Sequence, residues 1–87
     1  MRGINLLTEN DLKALRRAMR ERREMTLDRE WAPTEARLRV SIVDADPLWA
    51  PAVMLGRVEL WRGNMSSSQY CGSYSELLWL LEGVTVA

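Results

Sequence analysis

The clearest pattern along the chain is a helical spacing of apolar positions that begins near residue 9. Thr8 is a suitable N-cap, and Asp11 three residues later forms a variant of the capping box. Leu7 and Leu12 have the spacing of a hydrophobic staple across this N-terminus. We therefore predict a first helix from about Glu9 to Met25.

The two faces of this predicted helix differ in charge. At 100° per residue one arc is apolar, and it contains Leu12, Ala14, Leu15, Ala18, Met19 and Met25. The opposite arc contains Lys13, Arg16, Arg17, Arg20 and Arg23, with Glu9 and Glu24 among them. A cationic arc of this kind can contact the phosphates of a nucleic acid, or it can form a solvated or protein-facing surface that acidic neighbours dilute.

Two segments after this helix have the period of strands, and a third segment is predicted as a shorter strand. Leu38, Val40 and Ile42 alternate with polar residues, which predicts a half-buried strand from Ala36 to Val43. A second strand from Val53 to Trp61 and a short third strand from Ser68 to Cys71 follow, with a turn at Arg62-Gly63-Asn64 between them. If the first two pair antiparallel, Arg37 or Arg39 lies opposite Glu59.

The segments between these elements are predicted to be irregular. Residues 26–35 have no clear period and contain Trp31 and Pro33, so we interpret them as a connector. Asp44-Ala45-Asp46-Pro47 predicts a turn, and the segment Leu48 to Pro51, which contains Trp49, predicts a loop.

A second helix is predicted from Tyr74 to Glu82. Ser73 and Glu76 fit a capping box, and Gly83 is placed where a left-handed C-terminal residue is common. Tyr74, Leu77, Leu78 and Leu81 form one apolar arc, with Leu80 beside it. Residues 84–86 are predicted to form a short edge strand or a tail.

Together these elements predict an α+β fold. It comprises an N-terminal amphipathic helix, a small antiparallel sheet of two to four strands, and a C-terminal helix on the same face of the sheet. The predicted core consists of Leu12, Leu15, Met19, Leu38, Val40, Ile42, Val58, Leu60, Leu77, Leu78 and Leu81.

Length and composition make the chain a single globular domain. It has 87 residues with a net charge of zero, 47% apolar and 28% charged, and no apolar run or signal-peptide core suited to a membrane. So small a domain is marginally stable alone, which favours a homodimer or docking on a larger partner. The single cysteine excludes an internal disulfide and suits a reducing compartment, so we expect a cytoplasmic protein.

Catalytic groups are scarce. Without histidine there is no Ser-His-Asp triad, no Cys-His pair and no structural zinc site of the Cys and His type. Cys71 is interpreted as a small buried side chain, with a reactive or intermolecular thiol as the alternative. Asp44, Asp46 and Glu59 could form a weak cation site, although an Asp-x-Asp-Pro segment is more often a turn. We therefore expect a protein that is not an enzyme and binds no cofactor or metal.

The four tryptophans give the best candidates for a binding surface. Trp79 falls between Ser75 and Glu76 on the polar side of its helix, and Trp61 shares a strand face with charged residues. Such positions indicate an interaction surface, or a second core layer that a loop covers. The candidate partner-binding residues are Trp61, Trp79, Arg16, Arg17, Arg20 and Arg23.

In general character the chain resembles small phage-encoded inhibitors of bacterial defence, such as anti-CRISPR proteins. The likeness rests on a single small domain, eleven arginines against one lysine, and no recognisable active site. It implies a non-enzymatic protein that blocks a host protein complex by occupying its surface in the host cytoplasm. The alternatives are a small nucleic-acid-binding module that uses the arginine arc of helix 1, and an assembly component that self-associates.

Overall fold

The computed structural model describes residues 2–44 and 54–85, and these confirm the α+β prediction. Within these ranges four strands form one antiparallel sheet in the order β1-β2-β3-β4, with one α-helix before β1 and another after β4. The elements are α1 (Glu9–Glu21), β1 (Met25–Trp31), β2 (Ala36–Asp44), β3 (Met54–Arg62), β4 (Met65–Cys71) and α2 (Tyr74–Gly83).

Helix α1 begins where its capping residues predict and ends earlier. The Thr8 hydroxyl accepts the Asp11 N–H at 3.1 Å, and the Asp11 carboxylate accepts the Thr8 N–H at 3.0 Å. Arg22 then adopts a left-handed conformation with φ 56°, which stops the helix at Glu21. The predicted end at Met25 was therefore wrong, and Arg23 lies beyond the helix.

Strand β1 corrects the prediction of a connector over residues 26–35. Met25–Trp31 pairs antiparallel with β2 along its whole length, and its residues alternate between half-buried and exposed. The alternation was hard to recognise because Arg29 occupies a position facing the helices, where a strand of this kind normally has an apolar side chain.

The other three strands confirm their predictions to within a few residues. β2 and β3 match the predicted segments closely, and β4 begins at Met65, three residues before the prediction. Gly63 has φ 55° in the two-residue turn between β3 and β4, and a positive φ at this first turn position is what the primed hairpin turns require. Arg39 lies directly opposite Glu59, as predicted for one of the two arginines.

Helix α2 also begins as predicted. The Ser73 hydroxyl accepts the Glu76 N–H at 3.2 Å, as the predicted capping box requires. The Glu76 carboxylate accepts the N–H of Gly72 at 2.9 Å and not that of Ser73, so the second half of the box was predicted at the wrong residue. Gly83 belongs to the helix, and the C-cap is Val84 in an extended conformation. The left-handed Gly83 cap was therefore wrong, because the chain turns into an extended segment in which Thr85 bridges to Arg2.

One hydrophobic core lies between the helices and one face of the sheet. Leu80, and not the predicted Leu78, packs against this core. The other predicted core residues are buried in the core or packed against it. The buried cluster comprises Leu7, Leu15, Ala18, Leu38, Val40, Ile42, Val58, Cys71, Leu77 and Leu81. Because strand side chains alternate between faces, the second face of the sheet points away from both helices.

Two further sequence predictions concern the segment after β2. Asp44 ends that strand, whereas the rest of the predicted turn and the loop with Trp49 lie outside the described residues. No helix among the described residues is long and apolar enough to cross a membrane.

Candidate interaction surfaces

The sheet face that points away from the helices is the first candidate surface, and we call it the open face. The strand registers bring its residues into rows across all four strands, so that each row joins side chains distant in sequence. Three successive rows are Glu30-Arg37-Trp61-Ser66, Asp28-Arg39-Glu59-Ser68 and Thr26-Ser41-Arg57-Tyr70.

Trp61 is half-buried on the open face beneath two arginines. The guanidinium carbons of Arg37 and Arg39 lie 5.2 and 5.3 Å from the centroid of its ring. Arg37 is the direct cross-strand neighbour of Trp61, and Arg39 follows two positions later on the same face. Both distances suit cation–π attraction, so the arginines hold the indole in a fixed position within the sheet.

Asp28 on β1 fixes the same two arginines from the other side. Its Oδ1 lies 2.8 Å from Arg39 Nε and 3.4 Å from Arg37 Nη2. The hydrogen bond from Arg39 and the positive charges of both arginines lower the pKa of the Asp28 carboxyl group. The same hydrogen bond raises the pKa of Arg39. Asp28 and Arg39 are therefore both charged at neutral pH.

The third row adds a second aromatic side chain with its own arginine. Arg57 lies 5.6 Å from the centroid of the Tyr70 ring and forms a 3.3 Å ion pair with Glu59. Each row of the open face thus combines arginine with an acidic or aromatic side chain. Its three arginines balance Asp28, Glu30 and Glu59, so the face has no net charge.

Trp79 lies on the opposite side of the sheet from Trp61. It is 73% exposed on α2, as its position between polar residues predicts, and it is not part of the described core. With Gln69 of β4 it lines a hollow of about 450 Å³ between that strand and the C-terminal half of α2. A flat partner surface can contact Trp61 or Trp79, and not both.

The predicted arginine arc of α1 is only partly formed. Arg16, Arg17 and Arg20 are exposed, and Arg16 lies 5.7 Å from the Tyr74 ring centroid. Within the described ranges, the ion pairs include none made by Arg17 or Arg20. Arg23 departs from the arc because it follows the end of the helix, where it pairs with Glu21 at 2.8 Å.

The remaining candidates for chemistry are the Cys71 thiol and the acidic residues Asp44, Asp46 and Glu59. Cys71 is buried, and burial, followed by the negative charge of Glu76, raises the pKa of its thiol. Asp44 and Glu59 are far apart, because Asp44 lies opposite Met54 whereas Glu59 lies five residues further along β3. Asp46 lies outside the described residues, and the described ones contain no cluster of three or more potential metal ligands.

The open face was only partly predicted, because sequence reasoning missed strand β1 and therefore Asp28. Alternation of Thr26, Asp28 and Glu30 with apolar neighbours, interrupted at Arg29, was the available signal. Comparison with known protein families, curated proteins and solved structures finds no match to this chain.

Proposed function

We propose that this chain is a non-catalytic protein-binding module that covers a surface of a larger protein complex with its open face. The observation that carries the proposal is the cluster of Trp61 with Arg37 and Arg39, whose charges Asp28 and Glu59 balance. Tryptophan, tyrosine and arginine are the residue types most enriched at energetic hot spots of protein interfaces. A four-stranded face held by cross-strand contacts presents them without a large ordering cost.

The charge balance favours a protein partner over a polyanion. A nucleic-acid surface attracts phosphates through an excess of unpaired cations. On the open face the arginines already have acidic neighbours, so phosphate binding would require breaking ion pairs such as Arg39–Asp28. A folded protein surface with mixed polar and apolar groups can instead contact the indole edge and accept hydrogen bonds from the remaining guanidinium N–H groups.

In its biological form, the proposal is that this module is a phage-encoded inhibitor, comparable in character to anti-CRISPR proteins. Such an inhibitor acts by steric occlusion in the bacterial cytoplasm. A reducing cytoplasm suits the buried, protonated thiol of Cys71. This form predicts that the partner is a subunit of a bacterial defence complex. It also predicts that expression of the gene raises the plaquing efficiency of a phage which that complex restricts.

Capture from a bacterial lysate with tagged protein and nuclease treatment tests the proposal. We expect a discrete protein partner that survives nuclease, is lost with the W61S variant and is retained with W79S as the matched control. Circular dichroism must show that both variants remain folded. Loss of the partner with W79S but not W61S would place the contact on the other side of the sheet and contradict the proposal.

A nucleic-acid-binding module remains a second candidate because Arg17 and Arg20 are exposed next to Arg16. It predicts oligonucleotide binding that weakens steeply with salt and is lost in an R17Q/R20Q double variant. The R37Q variant on the open face is the control, and it should bind oligonucleotides like the wild type. No binding at low salt would exclude this candidate.

A further inference from the structure

Among the described residues, β1 and β4 are the two edge strands of the sheet, and they differ in how they resist pairing. Edge strand β1 carries Asp28, Arg29 and Glu30 in succession, and charged side chains are a common protection of an edge. Edge strand β4 is equally long, with the sequence Met-Ser-Ser-Ser-Gln-Tyr-Cys, and has no charged residue and no proline. Its residues are exposed except Cys71. β4 is therefore an edge on which another strand can pair.

The exposed large apolar side chains of the described residues lie on or beside this edge. They are Met65 at 77% exposed, Tyr70 at 57% and Trp79 at 73%. Met65 and Tyr70 belong to β4 itself, and Trp79 lines a hollow with Gln69. An adjoining hollow on the same side contains Met65, and the two share Gln69, Gly83 and Val84. An unprotected edge and the exposed apolar groups thus coincide.

We propose that β4 pairs antiparallel with β4 of a second copy of this chain, with the two-fold axis at Ser68. The pairing joins two four-stranded sheets into one sheet of eight strands. In this register all seven residues of β4 are paired, and residues directly opposite each other share a face. The pairs are Met65 with Cys71, Ser66 with Tyr70, Ser67 with Gln69, and Ser68 with Ser68 of the second copy.

The absence of like-charge repulsion favours β4 over β1 for this contact. The same two-fold pairing of β1 would centre on Asp28 and place two carboxylates directly opposite each other. Pairing of β4 places two serines there, and every other pair is uncharged. A second copy is therefore a suitable occupant of the β4 edge and an unfavourable one for the β1 edge.

The proposed pairing also covers the exposed apolar groups. On the helix side, Met65 of the second copy lies one strand spacing, about 4.8 Å, from Cys71. This side chain of the second copy thereby approaches Gln69 on the helix side of the sheet, where Trp79 lines the same hollow. On the open face, Tyr70 meets Ser66 of the second copy, which is the cross-strand neighbour of Trp61. The dimer thus covers Met65, Tyr70 and Trp79 and joins two open faces into one.

Multi-angle light scattering across a concentration series tests the inference. We expect the wild type to have twice the mass of the 10.0 kDa chain, and the S68K variant to have half the wild-type mass. Lysine at the two-fold axis places like charges opposite each other. The matched control is T26K, which adds the same charge to the open face of β1 and should remain dimeric. A wild type that is monomeric at every concentration overturns the proposal.

Two further measurements keep the test decisive if S68K alone changes the fold. A mixture of S68K and S68E chains should form a heterodimer, because the two-fold axis places lysine opposite glutamate. The S68C variant should form a disulfide-linked dimer on oxidation, whereas S66C, opposite Tyr70, should not. Equal cross-linking of both cysteines, or a dimer that T26K disrupts and S68K does not, would overturn the proposed register.

Failure of this inference is distinguishable from failure of the proposed function. The dimer test needs only the purified chain and reports on β4. The partner test reports on Trp61 of the inner strand β3, and a monomer can still bind through that residue.

Discussion

Asp11 and Arg29 form a 2.7 Å ion pair that joins the first turn of α1 to the helix side of β1. Arg29 faces the helices at a position where the strand would normally have an apolar side chain, and Asp11 neutralises its charge there. The same carboxylate caps α1 through the Thr8 N–H. One side chain therefore supports the start of the helix and its attachment to the sheet.

We expect the D11N variant to lower the free energy of unfolding by about 1 kcal/mol, because it removes the ion pair and weakens the cap. Chemical denaturation measures this loss. The control is E9Q, which alters the exposed 3.6 Å pair of Glu9 with Lys13 and should change stability by less than about 0.5 kcal/mol. Equal losses in the two variants would contradict the special role of Asp11.

The same contact makes stability depend on pH in the acid range. The hydrogen bond from Thr8 N–H and the contact with Arg29 lower the pKa of Asp11 from its ordinary value of 3.8, and the arginines lower that of Asp28. A depressed native pKa contributes stability above the unfolded pKa, and the contribution is lost as pH falls through the native pKa. We expect unfolding free energy to decline from about pH 5 downward, less steeply in D11N. Parallel declines in wild type and D11N would contradict this.

The sequence predicted those elements whose apolar period is regular. Leu38, Val40 and Ile42 defined β2, and the caps at Thr8 and Ser73 located both helix starts. These features are local, because period and capping depend on residues within a few positions of one another.

The parts that were missed depend on contacts between distant residues. Arg29 concealed β1 because its charge is matched by Asp11, which lies eighteen positions away in the sequence. The candidate site around Trp61 was predicted as an aromatic on a mixed face. Its arginine partners follow from the register of β2 with β3, and Asp28 from the missed β1.

The early end of α1 leads to a stabilising substitution. Arg22 has φ 56°, a conformation that costs energy for a residue with a Cβ and little for glycine. We expect R22G to raise the free energy of unfolding by about 0.5–1 kcal/mol. The control R20G, two residues earlier and within the last turn of the helix, should lower it by about 1 kcal/mol. Thermal denaturation compares the two, and destabilisation by R22G would show that its side chain contributes more than its conformation costs.

Gly56 and Cys71 are expected to be energetically coupled. A Cβ at Gly56 would lie 2.6 Å from Cys71 Sγ, which is closer than real contacts allow, although it would meet Leu77 Cδ1 at an ordinary 3.4 Å. We expect G56A to destabilise the protein by about 1–3 kcal/mol through overpacking. In a C71A background the sulfur is absent, so the same substitution should cost much less.

A double-mutant cycle of G56A and C71A, measured by denaturant unfolding, checks this coupling. G83A is the control, because a Cβ at that helical position meets nothing within 4 Å and should be neutral or stabilising. If G56A costs the same with and without the sulfur, its effect comes from the strand backbone and not from the contact with Cys71. A large coupling would show that the Cys71 sulfur requires a residue without a side chain at position 56, since Gly56 and Cys71 are direct cross-strand neighbours beneath α2.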